Sequence, residues 1–186
     1  MRARTFARRE MRTKTCIETR MNTMAVATPG PIESHPLQSL VLPTPQPAQG
    51  QVRICIDVCG VCRTDLHIAE GDLPLHCNPI VPGHEAVGTV VRCGPGVQQL
   101  KEGDRVGVAW LYAACMRCRY CQRGEENLCA MPRFTGYDEH GGYAEYMVAP
   151  EAFVYPLPSG LSSVEAAPFL CAGIIGYRAL RRCGVQ

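Results

Sequence analysis

Four cysteines that lie within fifteen residues of one another give this sequence its clearest chemical signal. They are Cys115, Cys118, Cys121 and Cys129, and the gaps between them are two, two and seven residues. A turn directs cysteines of this spacing toward one ion, and four thiolates complete the tetrahedral coordination of Zn²⁺. A site closed in this way has no position for a substrate, so the spacing predicts a structural zinc lobe over residues 113–131.

Two other uses of clustered cysteines are weaker alternatives to zinc. A bacterial iron–sulfur run begins with the same short gaps but closes with a gap of three and a Cys-Pro pair. Here the last gap is seven and Ala130 follows Cys129. A disulfide scaffold would need an oxidising compartment, and residues 1–20 lack the apolar core of a signal peptide.

A second group of metal-ligating residue types is spread along the chain. Cys62 lies in segment 59–67, and the pair His84-Glu85 lies in segment 82–88. Each is a weak signal by itself, because a lone cysteine packs as a small apolar side chain and a His-Glu pair often lies on a surface. Spacing alone therefore leaves the choice between a metal site and ordinary packing open.

Short strands are the elements that must position these residues. In Gln51–Cys59, apolar and polar side chains alternate with the period of two that a half-buried strand shows. Glycine and proline turns separate further predicted strands at Ala86–Arg92, Asp104–Trp110, Tyr143–Ala149 and Ala152–Tyr155. Several short strands of this kind predict a barrel or a sandwich.

The two ends of the chain differ from this middle part. Residues 21–50 are rich in proline, which restricts them to edge strands, turns or extended loops. Near the other end, Ser162 or Ser163 is a candidate cap for a helical stretch, and Pro168 suits the first turn of a segment that runs to Arg182.

Composition and charge bound the function classes. The chain has 186 residues, 46% of them apolar, which suits one domain with a core. Its net charge of +2 divides into +5 for residues 1–20 and −3 for the rest, so the folded part shows no nucleic-acid signature. No apolar run reaches the ~18 residues of a membrane helix.

We interpret residues 1–23 as a basic leader. This leader is either disordered or the result of a translation start assigned too early, with Met21 or Met24 as the real start. A mitochondrial targeting segment is the alternative.

These ligand sets, together with Leu170-Cys171-Ala172-Gly173, resemble the zinc-containing alcohol dehydrogenases of the medium-chain dehydrogenase/reductase superfamily. The runs 109–112 and 141–146 look most like the bacterial branch. The resemblance implies a mainly β fold with short helices: a chaperonin-10-like (GroES-like), partly open barrel over residues 24–166 with a zinc-binding lobe. Residues 167–186 would form a helix that leads toward a dinucleotide-binding domain.

The resemblance also implies a role for individual residues. Three protein ligands of a catalytic zinc leave the fourth position to water or a substrate oxygen, and Cys62, His84 and Cys171 match them. The remaining matches are Asp65 behind the zinc-binding histidine, Glu85 behind the metal, Thr64 at the substrate oxygen, His67 at the outer end of a proton relay, Arg63 at a cofactor phosphate and Trp110 in the substrate-pocket wall. For His67, Arg63 and Trp110, a surface histidine, a solvated arginine and a core tryptophan remain alternatives.

The implied reaction is the oxidation of a small alcohol to an aldehyde or ketone with NAD or NADP, on a chain that holds two zinc ions. A polyol or formaldehyde dehydrogenase shares the zinc motifs, but the run around Trp110 favours a simple alcohol. The resemblance predicts no nucleic-acid or membrane partner and allows a homo-oligomer in the full-length form. Six reduced ligand thiols suit the cytoplasm.

A dinucleotide fingerprint is missing from these 186 residues. The one Gly-x-Gly is Gly94-Pro95-Gly96, and residue 99 is Gln rather than Gly. We therefore expect this chain to lack the Rossmann domain and to bind zinc without hydride transfer. Ile175 stands where many members of the resembling family carry Thr, and its side chain can pack there but cannot form a hydrogen bond to a cofactor. A stand-alone zinc-binding interaction module without catalysis is the alternative function.

Overall fold

The structure is a computed structural model that describes residues 19–184. Within that part of the chain, nine strands and three α-helices form a mainly β fold. The strands are β1 (Arg20–Val26), β2 (Leu37–Pro43), β3 (Gln51–Cys59), β4 (Ala86–Cys93), β5 (Arg105–Val108), β6 (Leu111–Ala113), β7 (Arg133–Phe134), β8 (Tyr146–Pro150) and β9 (Val154–Pro156), and the helices are α1 (Arg63–Glu70), α2 (Ser163–Ala166) and α3 (Ala172–Arg182). None of the helices in residues 19–184 has the length and apolar character needed to span a bilayer.

A curled antiparallel sheet of five strands, in the order β8-β3-β4-β5-β9, forms the half-barrel. The hairpins β1-β2 and β6-β7 complete the strand pairs. Side chains of this sheet and of β6 pack into the largest of three apolar clusters in residues 19–184, and its buried members include Val52, Ile54, Val90, Val106, Val108, Tyr112, Met147 and Ala149. The predicted partly open, GroES-like barrel is confirmed.

Strand β3 keeps its predicted bounds, but its alternation fails in the second half. Val52 and Ile54 are buried, whereas Ile56 and Val58 are only partly buried. The pairing with β4 slips between Ile56 and Val58. Such an irregularity turns the strand and changes which side chains face the core, which period-two reasoning does not anticipate.

The N-terminal hairpin begins earlier than the predicted leader boundary allows. Strand β1 starts at Arg20, and Met21 and Thr23 are both buried. Residues 20–23 thus belong to the folded part rather than to a basic leader, because β1 pairs with β2 along its whole length. The remainder of the predicted leader, residues 1–18, lies outside the described residues.

Two predicted segments require correction. Ala152–Tyr155 is not one strand: a 3₁₀ turn occupies Glu151–Phe153, and only then does β9 begin. The reason is a polar side chain, since the Glu151 carboxylate accepts hydrogen bonds from the backbone N–H groups of residues 98–100 and holds the chain in a turn.

The helix predicted over residues 167–186 is also wrong as one continuous element, because the helical conformation is interrupted at Cys171. Ser162 caps α2 as predicted, but a 3₁₀ turn over Ala167–Leu170 follows, and α3 starts only at Ala172. Cys171 has φ −130° and ψ −86°, outside the helical region. This break separates the packed part of the segment, where Ala167 and Leu170 are buried, from α3, in which no residue is buried.

We predict that Gly88→Ala destabilises the barrel by about 1–3 kcal/mol, the usual cost of overpacking. A Cβ at Gly88 would overlap the carbonyl oxygen of Cys55 and lie 2.9 Å from Cγ2 of Ile54. The control is Gly160→Ala, where a Cβ meets nothing within 4 Å; this change should be neutral or stabilising by up to about 1 kcal/mol. Urea unfolding midpoints measure both, and equal midpoints for the two variants would contradict the prediction.

Candidate metal centres

The four clustered cysteines converge in the loop between β6 and β7. Sγ of Cys121 lies 3.5 Å from Sγ of Cys118 and 3.9 Å from Sγ of Cys115. Thiolates bound to one tetrahedral zinc at about 2.3 Å stand about 3.8 Å apart, whereas the sulfurs of a disulfide are about 2.05 Å apart. The four ligand atoms, including that of Cys129, lie within 4.8 Å of one another. Their spacing fits one metal ion.

Backbone N–H groups in this lobe point at the sulfurs. Cys118 N–H donates to Sγ of Cys115, and the N–H groups of Cys115 and Met131 both donate to Sγ of Cys129, each at 3.3 Å. The backbone N–H and thiol of Cys121 lower the pKa of Cys118 to about 6. Thiolate is the form that binds a metal, so the lobe already favours the ligand form at this cysteine.

A second cluster brings together residues from three distant segments. Cys62 is the N-cap residue of α1, His84 lies just before β4, and Cys171 occupies the break before α3. Sγ of Cys62 and Sγ of Cys171 are 3.7 Å apart although 109 positions separate them in sequence. With Glu85, the four candidate ligand atoms lie within 4.8 Å of one another.

The buried carboxylate of Asp65 connects the segments that carry two of these residues. Its Oδ2 accepts a hydrogen bond from the backbone N–H of Cys62 at 2.8 Å, and its Oδ1 accepts one from Gly83 at 3.0 Å. Oδ1 also lies 3.4 Å from Nδ1 of His84. Burial alone would raise the pKa of Asp65, but His84 and the two backbone donors outweigh burial and lower it. Asp65 is therefore an anion held between the two ligand segments.

His84 is the most deeply buried of the candidate ligands, with 1% of its surface exposed. Burial lowers its pKa, but Asp65 and Cys62 raise it above its ordinary value. Nδ1 makes no well-formed hydrogen bond in the structure despite its position opposite Asp65. A buried imidazole costs free energy unless both nitrogens find partners. A metal on one nitrogen and Asp65 on the other would satisfy both, so the residues present fit a zinc ion.

The pKa values of the two thiols in this cluster are shifted in opposite directions. Burial raises the pKa of Cys62, but the backbone and hydroxyl of Thr64 and the thiol of Cys171 outweigh it and lower that pKa. Burial and the neighbouring Cys62 raise the pKa of Cys171 to about 12. The shifts favour the thiolate at Cys62 and the thiol at Cys171, and a cation between them would favour the thiolate form of both.

Glu85 lies behind this cluster, in a space that a glycine provides. Its side chain is buried, and burial raises the pKa of its carboxyl above the usual range. The carboxylate occupies the position that a Cβ of Gly60 would need. The glycine in the Cys59-Gly60 pair thus leaves room for an acidic side chain beside Cys171.

The remaining predicted residues divide into two groups. Oγ1 of Thr64 lies 3.7 Å from Sγ of Cys62, so the structure brings this hydroxyl to the cluster. His67 instead faces the surface, where its Nδ1 hydrogen-bonds Oδ2 of Asp72 at 2.7 Å. Arg63 is exposed at the first turn of α1. The structure does not bring His67 or Arg63 into contact with the ligand atoms.

Trp110 lies against the ring of His84. The two ring centroids are 4.9 Å apart in an edge-on arrangement, and Trp110 also stacks on Phe134 at 4.8 Å and faces Tyr137 at 6.2 Å. Sequence reasoning identified Trp110 but missed Phe134 and Tyr137, because an aromatic residue in a two-residue strand or a turn has no spacing signal. It also gave no separate role to Tyr143, whose hydroxyl donates to Asp65.

Known proteins similar to this chain agree with the fold. The family described as "Alcohol dehydrogenase GroES-like domain" matches residues 48–159. The "Probable alcohol dehydrogenase AdhA" of Mycobacterium tuberculosis is 50% identical over 167 residues, which covers 87% of this chain and 48% of that protein.

Two solved structures are similar in fold. The structure of "CAD from Helicobacter pylori complexed with NADP(H)" has a TM-score of 0.81 at 27% identity, and the match covers 90% of this chain and 50% of that one. A "cobalt and zinc bound thermostable alcohol dehydrogenase from Pyrobaculum aerophilum" has a TM-score of 0.69 at 32% identity, with 75% and 42% covered. The chain thus spans about half the length of the relatives it matches.

The family match extends over more than half of the chain. Half of the aligned residues are identical to those of a probable alcohol dehydrogenase, and the alignment covers 87% of this chain. The chain therefore belongs to the alcohol dehydrogenase GroES-like domain family, within the zinc-containing alcohol dehydrogenases of the medium-chain dehydrogenase/reductase superfamily.

Proposed function

We propose that this chain supplies the zinc-bearing half of an alcohol dehydrogenase that converts small alcohols to aldehydes or ketones with NAD or NADP. The observation that carries the proposal is the convergence of Cys62, His84 and Cys171 from three distant segments, with ligand atoms within 4.8 Å. The relative from Helicobacter pylori, whose structure contains NADP(H), and the metal-bound relative from Pyrobaculum aerophilum support the cofactor and the metal.

In this proposal the two thiolates and the neutral imidazole hold one zinc and balance its charge. Zinc, when bound, acts as a Lewis acid that makes a hydroxyl proton more acidic or polarises a carbonyl. Asp65 keeps a proton on Nδ1 of His84 and so directs Nε2 to the metal. Glu85 provides a second carboxylate behind the site.

The groups around the site would hold the substrate and move its proton. Thr64 places a hydroxyl beside Cys62, where it can accept the proton of a substrate hydroxyl and pass it outward. His67, on the surface of α1, would accept that proton through a cofactor hydroxyl or water, and Arg63 would contact a cofactor phosphate. Trp110, packed edge-on against His84, would form an apolar pocket wall that excludes water and suits a small alkyl group.

The four-cysteine lobe would hold a second, structural zinc and bring the content to two per chain. All eleven cysteines of residues 19–184 are free thiols, which fits a reducing compartment, and we propose the cytoplasm. We propose no nucleic-acid or membrane partner, while a homo-oligomer is compatible with the full-length form. The second candidate function is a zinc-binding interaction module without catalysis, which both clusters, each assembled within residues 19–184, would allow.

We predict two zinc ions per wild-type chain and one in Cys171→Ser. The change removes one thiolate from the dispersed site and leaves the lobe intact, so one ion should be lost while the fold survives. Elemental analysis of the purified protein measures zinc per chain, and circular dichroism checks the fold.

The matched control for this measurement is Cys183→Ser, an exposed thiol at the end of α3 that belongs to neither cluster. It should retain both ions. One ion in the wild type and one in Cys171→Ser would show that the dispersed site does not assemble, and the dehydrogenase proposal would then fail for this chain.

We also predict that the zinc-loaded chain alone forms no NADH or NADPH from ethanol. Hydride transfer needs a nicotinamide held against the substrate, and the sequence contains no Gly-x-Gly-x-x-Gly to bind a dinucleotide. Absorbance at 340 nm measures the reduced cofactor, with a full-length alcohol dehydrogenase assayed in parallel. Turnover by this chain that Cys171→Ser abolishes would contradict the prediction.

A further inference from the structure

Tyr143 places its hydroxyl between the two segments that carry ligands. Oη lies 3.1 Å from Oδ2 of Asp65 and 3.4 Å from the carbonyl oxygen of Gly60. A tyrosine hydroxyl has one proton to donate, and a charged acceptor forms the stronger hydrogen bond. The closer carboxylate of Asp65 is therefore the main partner.

The backbone of Tyr143 is fixed on both sides. Its N–H donates to the carbonyl of Pro82 at 3.1 Å, and its carbonyl accepts from the N–H of Met24 in β1 at 2.8 Å. Its ring lies against Gly83, since a Cβ at that glycine would be 2.6 Å from Cδ1 of Tyr143. Gly83 has φ +99° and is the residue whose N–H donates to Asp65. The Tyr143 ring therefore packs against Gly83, whose backbone N–H donates to the Asp65 carboxylate.

The surroundings keep this hydroxyl in its donor form. Burial raises the pKa of Tyr143 above its ordinary value, and the charge of Asp65 raises it further. Tyr143 thus donates at neutral pH. With this bond, Oδ2 of Asp65 has two donors, Cys62 N–H and Tyr143 Oη, while Oδ1 has one donor and faces His84.

We propose that Tyr143 is a positioning residue of the metal site, which fixes the rotation of the Asp65 carboxylate and thereby the orientation of the His84 ring. The inference rests on the proposed function, because it requires that His84 binds the metal. Without Oη, the carboxylate keeps one donor on each oxygen and can turn about its terminal torsion. That turn changes the approach of Oδ1 to Nδ1 of His84, now 3.4 Å.

The test compares Tyr143→Phe with Tyr112→Phe. Tyr112 is a tyrosine of the barrel core that is 2% exposed, and its hydroxyl accepts a hydrogen bond from Nε2 of Gln51. A chromogenic chelator measures the rate of zinc release, and Cys171→Ser assigns the phase that comes from the dispersed site. We expect Tyr143→Phe to accelerate that phase by about 10-fold or more, in the range seen for groups that hold a ligand histidine, and Tyr112→Phe to leave it unchanged.

Two further readouts separate positioning from a general loss of stability. With Co²⁺ in place of zinc, the visible absorption bands of the dispersed site should shift in Tyr143→Phe and not in Tyr112→Phe. In an Asp65→Asn background, Tyr143→Phe should have much less effect, because coupled residues are not additive.

Any of three outcomes would overturn the inference. Zinc release could be equally fast in wild type and Tyr143→Phe, it could be accelerated equally in both tyrosine variants, or Tyr143→Phe could keep its full effect in the Asp65→Asn background. These outcomes differ from failure of the proposed function, in which the wild-type chain holds only the lobe zinc. In that case the inference falls with it, because no metal remains to be positioned.

Discussion

The buried carboxylate of Asp65 organises the region around the dispersed cluster. Asp65 is 4% exposed, and a carboxylate in that position is tolerated only when hydrogen bonds and an opposite charge replace its hydration. The donors that do so belong to Cys62, Gly83 and Tyr143. Two of these donors are backbone N–H groups of the segments that carry the candidate ligands Cys62 and His84, so the hydrogen bonds that stabilise the carboxylate also bring these two segments together.

Each candidate ligand of the dispersed cluster lies at an end of, or a break between, regular elements of the fold. Cys62 comes before the first turn of α1, His84 before the edge of β4, and Cys171 at a break between two helical segments. A regular helix or strand interior would commit the backbone N–H groups near these residues to its own hydrogen bonds. At element ends those groups are free to bind a carboxylate or a sulfur.

The sequence predicted this architecture unevenly, for reasons that differ from residue to residue. Spacing alone was enough for the lobe, because Cys115 and Cys118 lie close together and their geometry is local. The dispersed cluster depended on the family resemblance, since nothing in the spacing of Cys62 and Cys171 indicates that their sulfurs lie 3.7 Å apart.

Other features were not predictable from periodicity. The slip in β3 opposite Gly88 and the break at Cys171 are tertiary effects that override local patterns. Tyr143 was hidden for the same reason: its partner Asp65 is 78 residues away. Arg63 is exposed on α1 and His67 hydrogen-bonds Asp72, so the roles that the resemblance implies for them stay predictions.

The two clusters also differ as cross-links of the chain. A metal in the lobe would close a loop of 14 positions, whereas a metal shared by Cys62 and Cys171 would close one of 109. Loop-closure entropy grows with the logarithm of length, so the longer link restricts the unfolded chain by roughly 2 kcal/mol more. Helix α3 has no buried residue of its own, and Cys171 is the residue directly before it. A metal bound by Cys171 would therefore also attach α3 to the barrel. A metal at the dispersed cluster would thus act as a cross-link between α3 and the barrel.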